Sequence, residues 1–221
     1  YNTLSAHDSY QTYIFIVNKI KKLEITPAQI ALDPCSGSVV ITDPNNGKVK
    51  AMVTYPSYDN NQLSGSVDSD YWEKLIEDQS DPLYNRATQG ATAPGSTFKM
   101  CTSMTAMKEG VVSAGETVTD QGKFKKITPS PKCWIYPQAT HGSINVSQAL
   151  ADSCNYFFYE MGYRLGKSNN TAYDSAVGLE KIENYATQLG LNMKSGVEIT
   201  ERDPHFSTES AVHSAIGQGS N

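Results

Sequence analysis

Pro94-Gly95-Ser96-Thr97-Phe98-Lys99 stands at the head of a helix-like run. Pro94-Gly95 punctuates the chain just before it. From Ser96 to Glu109, Phe98, Cys101, Met104 and Thr105 fall at helical spacing, and Gly110 supplies a stop. If the helix begins near Ser96, Lys99 lies one turn on, and both side chains can face the same cleft. A serine hydroxyl is a weak nucleophile until a neighbouring base takes its proton. A lysine does this when burial or a nearby cation lowers its pKa. The first-turn backbone N–H groups have no intrahelical partners, and they favour charge developing beside Ser96. The plainer alternative is an N-cap serine followed by a solvent-exposed lysine.

A second polar group follows downstream. Asn145 is placed to cap a short helix running through Leu150, and a further helix covers Asn155 to Leu165, stopped by Gly166. Ser153-Cys154-Asn155 sits at the joint between them. Serine can pass a proton there, and asparagine both donates and accepts hydrogen bonds. On its own the pair reads equally as capping chemistry. Residues 178–189 repeat the helical pattern with Leu179, Ile182, Tyr185, Ala186 and Leu189, ending at Gly190, and Val197–Thr200 is a strand candidate. Residues 117–140 read as loop with short pairing.

Upstream, Ser38–Thr42 and Val49–Thr54 are β-rich runs flanking the turn formers Asp43-Pro44-Asn45-Asn46-Gly47, so a hairpin is expected. Pro56 to Asp81 is a long polar excursion with a short helix around Tyr71–Glu77. Residues 8–24 place Tyr10, Tyr13, Ile14, Val17 and Ile20 on one helical face, beside Lys19, Lys21 and Lys22, with Pro27 at or beyond the end. Strands separate from a helical region make the class α+β.

A chain of 221 residues can bury one substantial core. Its 19% charged and 38% hydrophobic residues are globular rather than disordered. A formal net charge of -5 gives no support to nucleic-acid binding, which calls for a basic patch. No run of 18 apolar residues is present, so no transmembrane span is expected, and the polar start shows no signal peptide. Cys35, Cys101, Cys133 and Cys154 lack paired metal-ligand spacing. They form two disulfides in one of three pairings or are buried as small hydrophobes. His7, His141, His205 and His213 lie far apart in sequence and form no metal pattern, so structural or exposed roles are expected, with no metal or cofactor.

Taken in order, Ser96–Lys99 and Ser153–Asn155 resemble the Ser-x-x-Lys and Ser-x-Asn motifs of the serine penicillin-recognising enzymes. The neighbourhood is more specific. Asp43-Pro44 with Gly47, Ala51-Met52 and Pro56-Ser57-Tyr58-Asp59 resemble the hairpin of the high-molecular-weight penicillin-binding transpeptidases. Asn85-Arg86-Ala87 followed by Pro94–Lys99 resembles their approach to the nucleophile, and Gly217-Gln218-Gly219 resembles a glycine-rich segment ahead of their third motif. The nearest group is the class B, monofunctional type.

The resemblance implies a β-lactamase/transpeptidase-like fold, with an antiparallel sheet and a helical subdomain. It implies a D,D-transpeptidase in which Ser96 attacks the carbonyl joining the last two D-alanines of a peptidoglycan stem peptide. D-Alanine leaves, and an amine from a neighbouring stem resolves the acyl-enzyme into a crosslink. Lys99 accepts the Ser96 proton, Ser153 relays one toward the leaving amine, and Asn155 binds the substrate backbone and steadies Lys99. β-Lactams acylate the same serine. A serine β-lactamase and a β-lactam sensor domain are the alternatives, although Asn155 stands where oxacillin-hydrolysing β-lactamases usually carry valine. The implied location is the extracytoplasmic side of the bacterial cell membrane, with the anchor outside this chain. A glycan polymerase and elongation or division proteins are the implied partners, and no nucleic acid.

Lys194-Ser195-Gly196 matches the third motif, Lys-Thr/Ser-Gly, by letters only, because it precedes Gly217-Gln218-Gly219; a turn is expected there. Residues 1–221 are therefore expected to be the N-terminal and central portion of one transpeptidase domain, with its C-terminal strands missing. The remainder would come as a second chain, and 1–221 alone would be inactive.

Overall fold

The computed structural model describes residues 9–22, 24–25, 36–167 and 172–219. They belong to two units, Tyr1–Gly90 and Ala91–Asn221. Cys35, His7 and Pro27 lie outside the described residues.

In the first unit the expected hairpin forms as β1 (Gly37–Thr42) and β2 (Val49–Tyr55), antiparallel, with Gly37 opposite Tyr55 and Ile41 opposite Ala51. Its turn is closed by side chains. Asp43 accepts from the Asn45 backbone N–H at 2.9 Å and from the Asn46 amide at 3.1 Å, while Gly47 takes φ 72°. Helix α1 (Ser9–Lys21) is present, with Ile14, Val17 and Ile20 half-buried. Tyr10 and Tyr13, expected on its packed face, are exposed. The polar excursion holds a 3-10 turn (Asn60–Leu63) and α2 (Ser69–Glu77), which starts two residues before the expected helix because Asp68 caps Asp70 and Tyr71 N–H. The short α3 (Arg86–Gln89) is capped by Asn85, whose Oδ1 also accepts from Thr54 Oγ1 at 3.1 Å, tying the turn to β2.

The second unit is mainly helical. A 3-10 turn (Gly95–Phe98) leads into α4 (Lys99–Lys108), so the α-helix proper starts at the lysine rather than at Ser96. Its buried side includes Lys99, Cys101, Thr102 and Thr105, whereas Met104 is exposed. Strands β3 (Val118–Asp120) and β4 (Gly142–Ile144) pair antiparallel. The loop between them is pinned by a bridge from Lys123 to Lys132. Among the described residues the antiparallel strands thus form two separate two-stranded sheets.

The pair Asn145–Gln148 forms a reciprocal capping box at the start of α5 (Val146–Ala151). Helix α6 (Asn155–Leu165) is buried along most of its length, and α7 (Ser175–Gln188) begins at its Asp174 cap. The short α8 (Ala211–Ser214) lies close to α6: a Cβ on Gly162 would come within 2.4 Å of Ala211 O. Phe124, Phe157, Phe158, Met161 and Val212 anchor one core. Val197–Thr200 is not a strand. Among the described residues no partner strand reaches it, Ile199 is exposed, and Glu201 instead accepts from Ser195 N–H at 2.9 Å. Lys194-Ser195-Gly196 is loop, with Gly196 at φ 82°, in keeping with the expected turn.

Candidate active site

The sequence leaves Ser96 on one segment and Ser153 and Asn155 on another; folding of the second unit brings them together around Lys99. The joint between α5 and α6 does this through one backbone angle. Ser153 sits at φ 50°, the left-handed region that side-chain-bearing residues rarely occupy. That conformation costs about 1–2 kcal/mol, and it presents both Ser153 Oγ and Ser153 O to the same amine. Such a cost is retained where the surrounding structure imposes it, commonly at functional sites.

Lys99 is 1% exposed. Its Nζ donates to Ser153 O at 2.8 Å, Ser153 Oγ at 3.0 Å and Asn155 Oδ1 at 2.6 Å. An ammonium has three protons, and three oxygens receive them. The Phe158 ring lies 5.6 Å from Nζ, closing the apolar side. Burial pushes the Lys99 pKa down to about 8, partly offset by the negative charge that the Cys154 and Cys133 sulfurs can carry. Ser153 Oγ donates to Ser96 Oγ at 3.0 Å. The path from Ser96 to Lys99 therefore passes through Ser153. With Lys99 neutral, the same chain can run in reverse: Ser96 donates to Ser153, and Ser153 to the lysine nitrogen.

The turn carrying Ser96 is held from behind by Gly217. Gly95 N–H donates to Gly217 O at 2.9 Å, and a Cβ on Gly217 would lie 2.1 Å from Gly95 O. Gly217 also takes φ 71°, so glycine is required twice over. The segment singled out by its glycines thus buttresses the nucleophile turn.

Sequence reasoning missed a neighbouring cluster. Asp120, Cys133, His141 and Cys154 place their ligand atoms within 4.8 Å of one another. They come from the end of β3, the bridged loop, the residue just before β4 and the N-cap of α6, so no short motif announces them. The only hint is a cysteine inside Ser153-Cys154-Asn155. His141 is not the isolated residue its sequence position suggests. Its ring Nδ1 bonds Asp120 Oδ2 at 2.8 Å and faces Cys133 Sγ at 3.6 Å. Cys133 and Cys154 sulfurs are 3.9 Å apart, and Cys154 Sγ is 3.7 Å from Asp120 Oδ2. His141 Nε2 is buried without a partner among the described residues.

Burial works against the Asp120 carboxylate, but donors from the His141 and Gly122 backbone and the His141 ring outweigh it and hold its pKa down. The hydrogen bond between the thiols lowers the Cys133 pKa, and the same bond with burial raises that of Cys154. One oxygen, one nitrogen and two sulfurs suit zinc, and tetrahedral edges at ordinary zinc distances are about 3.3–3.8 Å. The observed separations bracket that range. Four protein ligands leave no open position, so a cation here would clamp structure rather than take part in chemistry.

The penicillin binding protein transpeptidase domain family profile matches residues 37–221. A peptidoglycan D,D-transpeptidase MrdA of Haemophilus influenzae is 31% identical over 170 residues, which is 77% of this chain and 24% of that protein. The chain thus spans about a quarter of the length of that relative. The Mycobacterium tuberculosis penicillin-binding protein A solved as a ceftriaxone acyl-enzyme matches with TM-score 0.64 and 28% identity, over 84% of this chain and 41% of that one. A structure described as the coordination of polymerization and crosslinking by a peptidoglycan synthase complex matches with TM-score 0.69 and 29% identity, over 83% and 32%.

Proposed function

The chain belongs to the penicillin-binding protein transpeptidase domain family, and on that premise we propose that Ser96 is the acyl-accepting nucleophile of a D,D-transpeptidase that crosslinks peptidoglycan stem peptides. One observation carries the reading: the continuous hydrogen-bonded chain from Ser96 Oγ through Ser153 Oγ to a buried Lys99, with Asn155 on the same amine.

The steps follow from that chain. With a pKa near 8, about a tenth of Lys99 is neutral at pH 7. Neutral Lys99 draws a proton from Ser153 as Ser153 takes one from Ser96, and Ser96 Oγ attacks the carbonyl carbon. The Ser96 N–H stands in the first turn, where N–H groups have no intrahelical partner, and supplies one oxyanion donor. The proton held at Lys99 returns through Ser153 to the leaving D-alanine amine. An acceptor amine then attacks the ester by the same relay in reverse. Asn155 keeps Lys99 in register and offers its amide N–H to the substrate backbone.

A β-lactam presents an equivalent amide carbonyl within a strained ring and is trapped on Ser96. The similarity to a protein solved as a ceftriaxone acyl-enzyme supports this. Similarity to a peptidoglycan synthase complex that coordinates polymerization with crosslinking supports partnership with a glycan polymerase; elongation or division proteins are further partners of this reading. A membrane-tethered, extracytoplasmic location fits that chemistry; among the described residues no helix is long and apolar enough to cross a membrane.

The test is mass spectrometry, after exposure to benzylpenicillin, of a full-length protein that contains this chain. One added penicilloyl group mapped to Ser96, lost in Ser96→Ala, is expected. An adduct on another residue, or rapid catalytic turnover of the lactam, would defeat the reading.

A further inference from the structure

We propose that Cys133 and Cys154 form an oxidisable dithiol site, closed to a disulfide by a small peroxide when the cluster holds no cation and shielded when a divalent cation is bound. Its effect on acylation rests on the function proposed above; the thiol chemistry does not.

The placement is specific. The two sulfurs are 3.9 Å apart, and a disulfide bond is about 2.05 Å long. They need to close by only about 1.9 Å, which a side-chain rotation with a small backbone shift supplies. Cys101 is also a buried free cysteine, but it lies on α4 outside the cluster. Both paired thiols are buried, so a bulky protein oxidant is excluded and hydrogen peroxide, little larger than water, is the fitting reagent.

The Cys133 sulfur attacks one peroxide oxygen, the O–O bond breaks, and water leaves, giving a sulfenic acid. Cys154 sulfur then attacks Cys133 sulfur, the S–O bond breaks, and a second water leaves carrying the thiol protons. Two thiols are oxidised by two electrons and one peroxide is reduced to two waters. A cation bound through both sulfurs occupies the lone pairs that the attack requires. Asp120 and His141 supply its other ligands.

The consequence follows from position. Cys154 lies between Ser153, which holds its left-handed backbone, and Asn155, which holds Lys99. Drawing Cys154 toward Cys133 moves both neighbours, so the disulfide form should acylate more slowly.

A full-length protein that contains this chain is stripped with a chelator, exposed to hydrogen peroxide with or without saturating Zn2+, denatured, alkylated and mapped. Without zinc, a Cys133–Cys154 crosslinked peptide lighter by two hydrogens is expected, with Cys101 still alkylatable. Zinc should slow its formation at least about tenfold. Two separately oxidised cysteines, two unreacted ones, a bond to Cys101 or Cys35, or equal rates with and without zinc would overturn the proposal. The wild-type map decides this without a variant. Fluorescent penicillin labelling of the oxidised protein should fall and be restored by dithiothreitol. Equal labelling in both redox states overturns the coupling to Ser153. Absent labelling in both, with the crosslink mapped, leaves the dithiol site standing and removes the function.

Discussion

Ser153 carries two separable burdens, a strained backbone and a relaying hydroxyl. Ser153→Ala and Ser153→Gly both remove Oγ, so each should slow acylation of Ser96 by about 10²–10⁴-fold. Only glycine also relieves the left-handed strain, by about 1–2 kcal/mol. The glycine variant should therefore melt a few degrees above the alanine variant while remaining as inactive. Equal melting temperatures would mean that φ 50° stores no strain. Lys99 makes a second claim at this scale. Its pKa in the fold is depressed to about 8, below the ordinary lysine value of about 10.4. The active form is neutral, so acylation should rise about tenfold per pH unit below 8 and level off above it. The linked stability has the same sign. Between about 8 and 10.4 the unfolded chain holds more protons at this residue, so the Lys99 contribution to stability increases with pH across that window. Rates of fluorescent penicillin labelling from pH 6 to 9.5 check the first claim; a flat profile would show that the amine is not the base.

At the scale of elements, the nucleophile turn and the Gly217 segment act as one piece. Gly217→Ala places a Cβ against Gly95 O and forces an unfavourable φ, so the turn must shift. A shift of about 1 Å at Ser96 should lower acylation by about 10²-fold. A structure of the acylated variant with Gly95 unmoved would remove that explanation. The elements that sequence made legible carry local signals. Asn145 with Gln148 forms a cap between near neighbours, Asn155–Leu165 ends at Gly166, and Asp43–Gly47 closes its own turn. The motifs Ser96–Lys99 and Ser153–Asn155 were legible as letters, and Gly217 as a glycine-rich segment. What stayed hidden depends on distant partners. Val197–Thr200 has strand composition but, among the described residues, no neighbouring strand to pair with. The route from Ser96 to Lys99 through Ser153 needed a backbone angle that no propensity announces. Asp120, Cys133, His141 and Cys154 are separated by 8 to 13 residues, and it takes the β3–β4 pairing, its bridged loop and the packing of the α6 N-cap beside them to make them neighbours.

For the molecule as a whole, that cluster adds a further tie among four chain segments of the second unit already joined by the β3–β4 pairing and by Phe124 in the core. The loop between β3 and β4 has no helix or named strand, and Trp134 within it is exposed. A cation joining Asp120, Cys133, His141 and Cys154 would close this loop against the N-cap of α6, the helix around which the core is built. Anything that binds the folded state alone stabilises it, by about 2.7 kcal/mol at a hundredfold excess over Kd. Zinc should therefore raise the unfolding temperature of this unit by several degrees, and a chelator should reverse the gain. His141→Ala removes one ligand and should abolish most of the zinc-dependent shift. The lost contact with Asp120 also lowers the variant's starting temperature, so the comparison is of shifts, not of absolute values. Scanning calorimetry at fixed pH with zinc and with chelator provides both numbers. An identical melting temperature in the two conditions for the wild-type protein would mean that these four side chains hold one another by hydrogen bonds alone.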